Sequence, residues 1–238
     1  MIDGFLGYSE ELLDILQQVA DIASKLPPTD APENINVTKD IDDIDELLTA
    51  PHLTGTARIA ANQLLARAQA EALNPNDNNL YILAGTPPLR VSHIPAPALT
   101  AASTREFALC HGCFQQATLI HFYRQIFRLP SRACLIQKAV AEIRRMAGQM
   151  TQGAPCSAWV AMALPLFTVG SEAYTPAAQA WAHAALAAFA ASIGSRHVQL
   201  LHRALEDIWL LRARRGDVDG RLCADALLGE LNYNIIMF

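Results

Sequence analysis

Long apolar runs, a surplus of basic charge and a paired-cysteine framework are all missing from this chain. No apolar stretch reaches the ~20 residues that a membrane span needs. The most apolar one, Ala177 to Ala191, is broken by Gln179 and His183. Charged residues make up only 17% and hydrophobic residues 52%, the reverse of what keeps a chain disordered. Lys and Arg number 18 against 23 Asp and Glu, a net charge of -5. A domain that grips duplex phosphates needs the opposite balance, so DNA is not expected as a direct ligand. The N-terminus has no basic stretch followed by an apolar one, so no secretory signal is expected. Five cysteines (Cys110, Cys113, Cys134, Cys156 and Cys223) are odd in number and scattered through apolar segments. They read as buried free thiols of a reducing compartment, nucleus or cytosol.

What is present is helical periodicity over most of 238 residues, a length that can bury a sizeable core. Leu12, Leu16, Val19, Ile22, Ala23 and Leu26 form one stripe, with Ser9 as N-cap and Pro27-Pro28 as stop. Residues 27–56 and 74–100 are rich in proline and asparagine and read as loop-rich. Between them Thr56 to Leu73 is helical. Thr104 to Leu129 predicts a long central helix, apolar over most of its circumference, stopped by Pro130. Ser131 caps the next, which runs to Met150. Ser157 to Tyr174 carries Pro165 in its middle, which predicts a kink or two short helices. Thr175-Pro176 is a strong start signal for an Ala-rich helix ending at Gly194. Ser195 to Arg215 and Gly220 to Leu231 complete the series. The expectation is an all-α, single-domain, multi-helix bundle built on a long central helix.

No catalytic constellation emerges. Cys110-His111-Gly112-Cys113 matches CxxC, but a structural zinc site needs two further ligands at matching spacing, and none follows. Core packing is its expected role. Asp42, Asp43, Asp45 and Glu46 spell DDxxE, a pattern that holds Mg²⁺ against a diphosphate in terpene cyclases. The second metal motif of such enzymes is missing, and a solvated acidic helix is the plainer reading. His197 and His202 are five apart, on different helix faces, which disfavours a metal pair. Arg212, Arg214 and Arg215 fall at a helix C-terminus, where cations complement the dipole. Trp159, Trp181 and Trp209 either fill core gaps or line an apolar cavity.

Four segments in order carry a resemblance. The opening Gly4-Phe5-Leu6-Gly7-Tyr8-Ser9-Glu10-Glu11-Leu12-Leu13-Asp14 is the first. Next come Gln116 to Pro130, with Leu119-Ile120-His121-Phe122-Tyr123-Arg124, and then Ala163-Leu164-Pro165-Leu166-Phe167-Thr168-Val169-Gly170-Ser171-Glu172-Ala173. Leu205-Glu206-Asp207-Ile208-Trp209 is the last. Together they resemble the regulatory domain of fungal binuclear zinc-cluster transcription factors. Leu164 stands where that family often has Trp, and Ser171 where Cys is common.

The resemblance implies control of transcription by RNA polymerase II in a fungal nucleus, and no enzyme. The zinc-cluster DNA-binding domain, a six-cysteine module, is missing from the sequence. Zinc and DNA are therefore expected only through that module, and no cofactor or metal is assigned here. The sequence is then either an excised domain or a natural truncation. Expected partners are a small apolar effector, transcriptional coregulators and a second copy of the chain, with no membrane. The effector is expected in a cavity near the Pro165 kink, its candidate lining Phe122, Phe127, Phe167, Trp181 and Trp209. The alternatives are a solid helical interaction or dimerisation module and, further off, a Mg²⁺-dependent, terpene-cyclase-like enzyme using the Asp42 cluster.

Overall fold

In the computed structural model, residues 10–26, 52–53, 55–70, 101–152, 158–194 and 196–233 are described. The DDxxE segment, Cys156, the 74–100 connection and nearly all of 27–56 lie outside these residues. The described part is all helical, as the periodicity predicts. In chain order it holds α1 (Glu10–Lys25), α2 (Gly55–Ala70), α3 (Ala101–Gln125), α4 (Cys134–Ala147), a 3-10 turn (Ala158–Ala161), α5 (Ala163–Ser171), α6 (Pro176–Ile193), α7 (Arg196–Arg214) and α8 (Ala224–Glu230). None of these helices is long and apolar enough to cross a membrane.

The 25-residue α3 spans about 37 Å at 1.5 Å per residue and is the axis of the fold. It packs against α1, α2, α4, α5 and the 3-10 turn, which is why its apolar residues are spread around its circumference. Cys110, Cys113, Phe114, Ala117, Ile120 and Phe122 are all buried on it, and Ile126 just past its end. One contiguous apolar cluster runs from Leu12 on α1 through these residues to Leu228 on α8. The CxxC cysteines are part of it. Cys113 Sγ lies 3.9 Å from the Ile143 carbonyl on α4, and burial pushes the Cys110 thiol up to about 12. A thiol held protonated in an apolar core is neither nucleophile nor metal ligand.

Buried polar groups on α3 find specific partners. Gln115 Nε2 donates to the Ala68 carbonyl at 2.9 Å and so satisfies a free acceptor at the end of α2. Across the α1–α2 seam Arg67 Nε donates to Glu11 Oε1 at 2.8 Å, and its Nη2 to Asp14 Oδ2 at 2.7 Å.

Several boundaries differ from the periodic reading, each for a local reason. Ser131 does not cap α4, which begins at Cys134 with no side-chain cap at Ala133. The Ser131 hydroxyl instead donates to Glu172 Oε2 at 2.6 Å. The final helix begins at Ala224 rather than Gly220, because the Asp217 carboxylate holds the N–H groups of Arg221 and Leu222 at 2.7 and 2.9 Å in a turn. The Pro165 segment resolves into a 3-10 turn followed by α5, with proline in the first turn of α5, where its missing N–H costs nothing. Thr175 caps α6 as expected, its Oγ1 accepting from Ala178 N at 3.2 Å.

Gly170 explains how tightly α5 seats. A Cβ there would lie 2.3 Å from Leu205 Cδ1 on α7 and 3.4 Å from the Ala182 Cβ on α6. Only a residue without a side chain lets the three helices meet at this distance.

Candidate functional site

Two polar features flank α5 in the chain, a buried ionic node after its C-terminus and a cleft around the 3-10 turn before its N-terminus. The node gathers Arg124 from α3, Ser131 from the α3–α4 connection, Glu172 after α5, and Arg212 from α7. All four are buried. Arg124 Nε lies 3.2 Å from Glu172 Oε1. That N–H is not aligned to donate, so the attraction is Coulombic. Arg212 Nε is 3.9 Å from Asp217 Oδ2. Both guanidiniums donate to one carbonyl, that of Leu222, at 2.8 and 2.7 Å. Arg124 also donates to the Leu129 carbonyl and Arg212 to that of Ser171.

The burial of Arg124 disfavours its charge, but the carboxylate of Glu172 leads the attractions that outweigh this and raise its pKa. At Arg212 burial prevails and the pKa is lowered, against the pull of Glu172. Two arginines face Glu172 and Asp217, so the charges balance. The backbone is shaped to fit. Gly220 sits at φ 65°, and a Cβ on it would meet Ser131 Oγ at 2.4 Å. The node ties α3, α5, α7 and the 217–222 turn together. It accounts for Glu172 and Arg124 in the recognised segments as architecture. Arg212, placed by the sequence at a helix C-terminus, is inside it; Arg214 and Arg215 are exposed.

The cleft has a volume of about 210 Å³ and is lined by Ala147, Gly148, Gln152, Trp159, Trp181, Ala184, Ala185 and Ala188. Trp181, Ala184, Ala185 and Ala188 stand at i, i+3, i+4 and i+7, one stripe of α6. Small residues at three of these positions leave the space, and Trp181 walls one end. The Arg144 guanidinium sits 4.8 Å from the centroid of the Trp181 ring, a cation–π contact that holds the indole in place. Trp159 is 1% exposed and meets Phe189 edge to face, with centroids 6.2 Å apart. Its indole Nε1 is buried without a hydrogen-bond partner. A buried donor left unpaired costs about 1–3 kcal/mol, so such a group calls for an explanation.

The five residues expected to line a cavity are placed in three settings. Phe122 and Phe127 touch edge to face at 5.1 Å in the core, and Phe167 is buried on α5. Trp181 lines the cleft. Trp209 stands on α7, its indole N–H donating to the Gly170 carbonyl at 2.9 Å.

Sequence spacing passed over a further cluster. His197 and His202 do not pair, but His202 meets His183 across the α6–α7 seam, with Nε2 to Nδ1 at 2.6 Å. His183 Nε2 is 3.0 Å from Glu206 Oε1. His202 and Glu206 are four apart on one helix face, a signal legible in sequence; the third member is set only by how the two helices pack.

One family comparison bears on this arrangement. The model of the fungal specific transcription factor domain matches residues 1–237. No curated protein and no solved structure matches the chain.

Proposed function

The chain belongs to the fungal specific transcription factor domain family, and from that premise we propose that it is a non-enzymatic regulatory domain whose output is set by a small, mostly apolar compound bound in the Trp159 cleft. A role in transcription regulation follows from the family itself. The ligand reading is carried by one observation: an apolar-walled cleft lined by Trp159, a residue whose buried indole N–H has no partner. A compound with one carbonyl, ether or hydroxyl oxygen would satisfy that donor while its apolar part covers the alanine stripe.

The volume of about 210 Å³ is below the roughly 300–1,000 Å³ of sites for drug-sized molecules. It suits a single ring or a short chain. The cleft joins the end of α4, the 3-10 turn and α6, so a ligand that favours one arrangement of these elements shifts the population toward it. In this reading the domain acts in the nucleus. It passes the change to coregulators or a second copy of the chain, and DNA is reached through a zinc-cluster module supplied outside this sequence.

Thermal unfolding against a panel of single-ring and short-chain apolar compounds, with and without an acceptor oxygen, tests the proposal. A ligand at 100 times its Kd adds about 2.7 kcal/mol to stability, a shift of roughly 5–10 °C for a chain of this size. The expected result is a shift with acceptor-bearing members that is lost in Ala185→Leu, which fills the cleft. No shift with any member would overturn the ligand reading and leave a helical interaction module. A shift with Mg²⁺ and pyrophosphate alone would favour the enzyme reading.

A further inference from the structure

We propose that His183, His202 and Glu206 form a divalent-cation site of the zinc type that clamps α6 to α7. One ligand atom from each of the three lies within 4.8 Å of the others. The set is two imidazoles and a carboxylate, which suits Zn²⁺ and its neighbours in the first transition row and does not suit Mg²⁺ or Ca²⁺. Three protein ligands leave a fourth position for water.

The geometry is nearly formed. His202 and Glu206 project from the same face of α7, and His183 reaches them from α6. The two imidazole nitrogens stand 2.6 Å apart with one proton between them. Two Zn–N bonds of about 2.0–2.1 Å at a tetrahedral angle set a nitrogen separation of about 3.3 Å, so the rings need part by well under 1 Å. The side chains of His183 and Glu206 are 41% and 52% exposed, which gives them room to move and the ion a way in. The cation takes the place of the shared proton, which moves by solvent exchange to the other nitrogen of its own ring, so that both imidazoles bind in the neutral form. The Glu206 carboxylate turns from its contact with His183 Nε2 to complete the set.

The surroundings support a specific role for the seam. The His183 ring is 5.8 Å from Trp209, and Trp181, which walls the cleft, is two residues before His183 on the same helix. A cation here fixes α6 against α7 on the face of α6 turned away from the cleft stripe. The inference is independent of the ligand reading.

Titration of the purified chain with Zn²⁺, by calorimetry and by competition with a chromogenic chelator, tests it. Co²⁺ serves as a spectroscopic reporter. The expected result is one ion per chain with a Kd in the micromolar range or below. The Co²⁺ complex should show visible d–d absorption and no thiolate charge-transfer band, which excludes the cysteines as ligands. His183→Ala and His202→Ala should each weaken binding by roughly 10–100-fold or more, and saturating Zn²⁺ should raise the Tm of the wild type but not of the double variant. Glu206→Gln, at an exposed position, keeps the test valid if a histidine variant folds poorly. No binding, or equal binding by the double histidine variant, overturns the site.

Discussion

The ionic node and the Trp159 cleft sit on either side of α5, and both contain buried polar groups, yet they solve the problem of burial in opposite ways. In the node each buried charge faces an opposite one, and the two guanidiniums share the Leu222 carbonyl at 2.8 and 2.7 Å. At the cleft, the lining residue Trp159 carries a buried indole N–H without a partner. The contrast separates architecture from function. The Nε–H groups of Arg124 and Arg212 also lack a hydrogen-bond acceptor, but each stands 3.2 or 3.9 Å from a carboxylate oxygen, and a charge-paired network rigidifies a fold; the buried N–H of Trp159 is a donor with no acceptor in a residue that lines a cleft. Trp209 makes the point at a single residue type, because its own N–H is satisfied by the Gly170 carbonyl.

Breaking the node is expected to give the largest effect. Glu172→Gln keeps the shape but leaves two buried guanidiniums facing a single carboxylate, that of Asp217. Removing one partner of a buried ion pair costs about 3–5 kcal/mol, so the urea midpoint should fall steeply. An unchanged midpoint would show that the node does not hold the helices. Gly170→Ala comes next. Its Cβ meets Leu205 at 2.3 Å, and overpacking of this kind costs about 1–3 kcal/mol, read from the same unfolding curve.

The paired tryptophans sharpen the comparison at smaller scale. Trp209→Phe loses the hydrogen bond to the Gly170 carbonyl, which keeps only the one from the Ala173 N–H, a loss of about 1–2 kcal/mol. Trp159→Phe removes a donor that had no partner, so its loss of ring volume is partly offset, and its stability should stay within about 1 kcal/mol of wild type. If the two variants are equally destabilised, the distinction between the sites fails. The smallest effect is chemical. At pH 8 a thiol reagent should leave Cys110 and Cys113 unlabelled in the native chain, since burial holds both thiols protonated, and should label them once urea unfolds it.

Much of the fold could be read directly from residue patterns. The apolar circumference of α3, the Thr175-Pro176 start and the Pro165 interruption are local signals with local causes. What escaped were features made by distant segments. Ser131 looks like a helix cap, and Arg212 like a cation complementing a helix dipole, until Glu172 and Asp217 are brought to them. The alanines of α6 were legible as an Ala-rich helix, but not as the wall of a cleft. The aromatic residues drawn from apolar faces divided accordingly. Phe122, Phe127 and Phe167 satisfy burial by packing, while Trp181 reaches the cleft because its neighbours along the helix are small. His183 and His202, nineteen residues apart, carry no spacing rule that would join them.

The chain contains three tryptophans, so its three indole N–H resonances can be assigned by substitution and followed individually. Titrating acceptor-bearing ligands from the thermal panel into ¹⁵N-labelled protein tests the central claim directly. The account predicts that the Trp159 resonance moves downfield on binding as it gains an acceptor, while that of Trp209, already bonded to Gly170, stays in place. A Trp159 resonance that no compound in the panel displaces would contradict it.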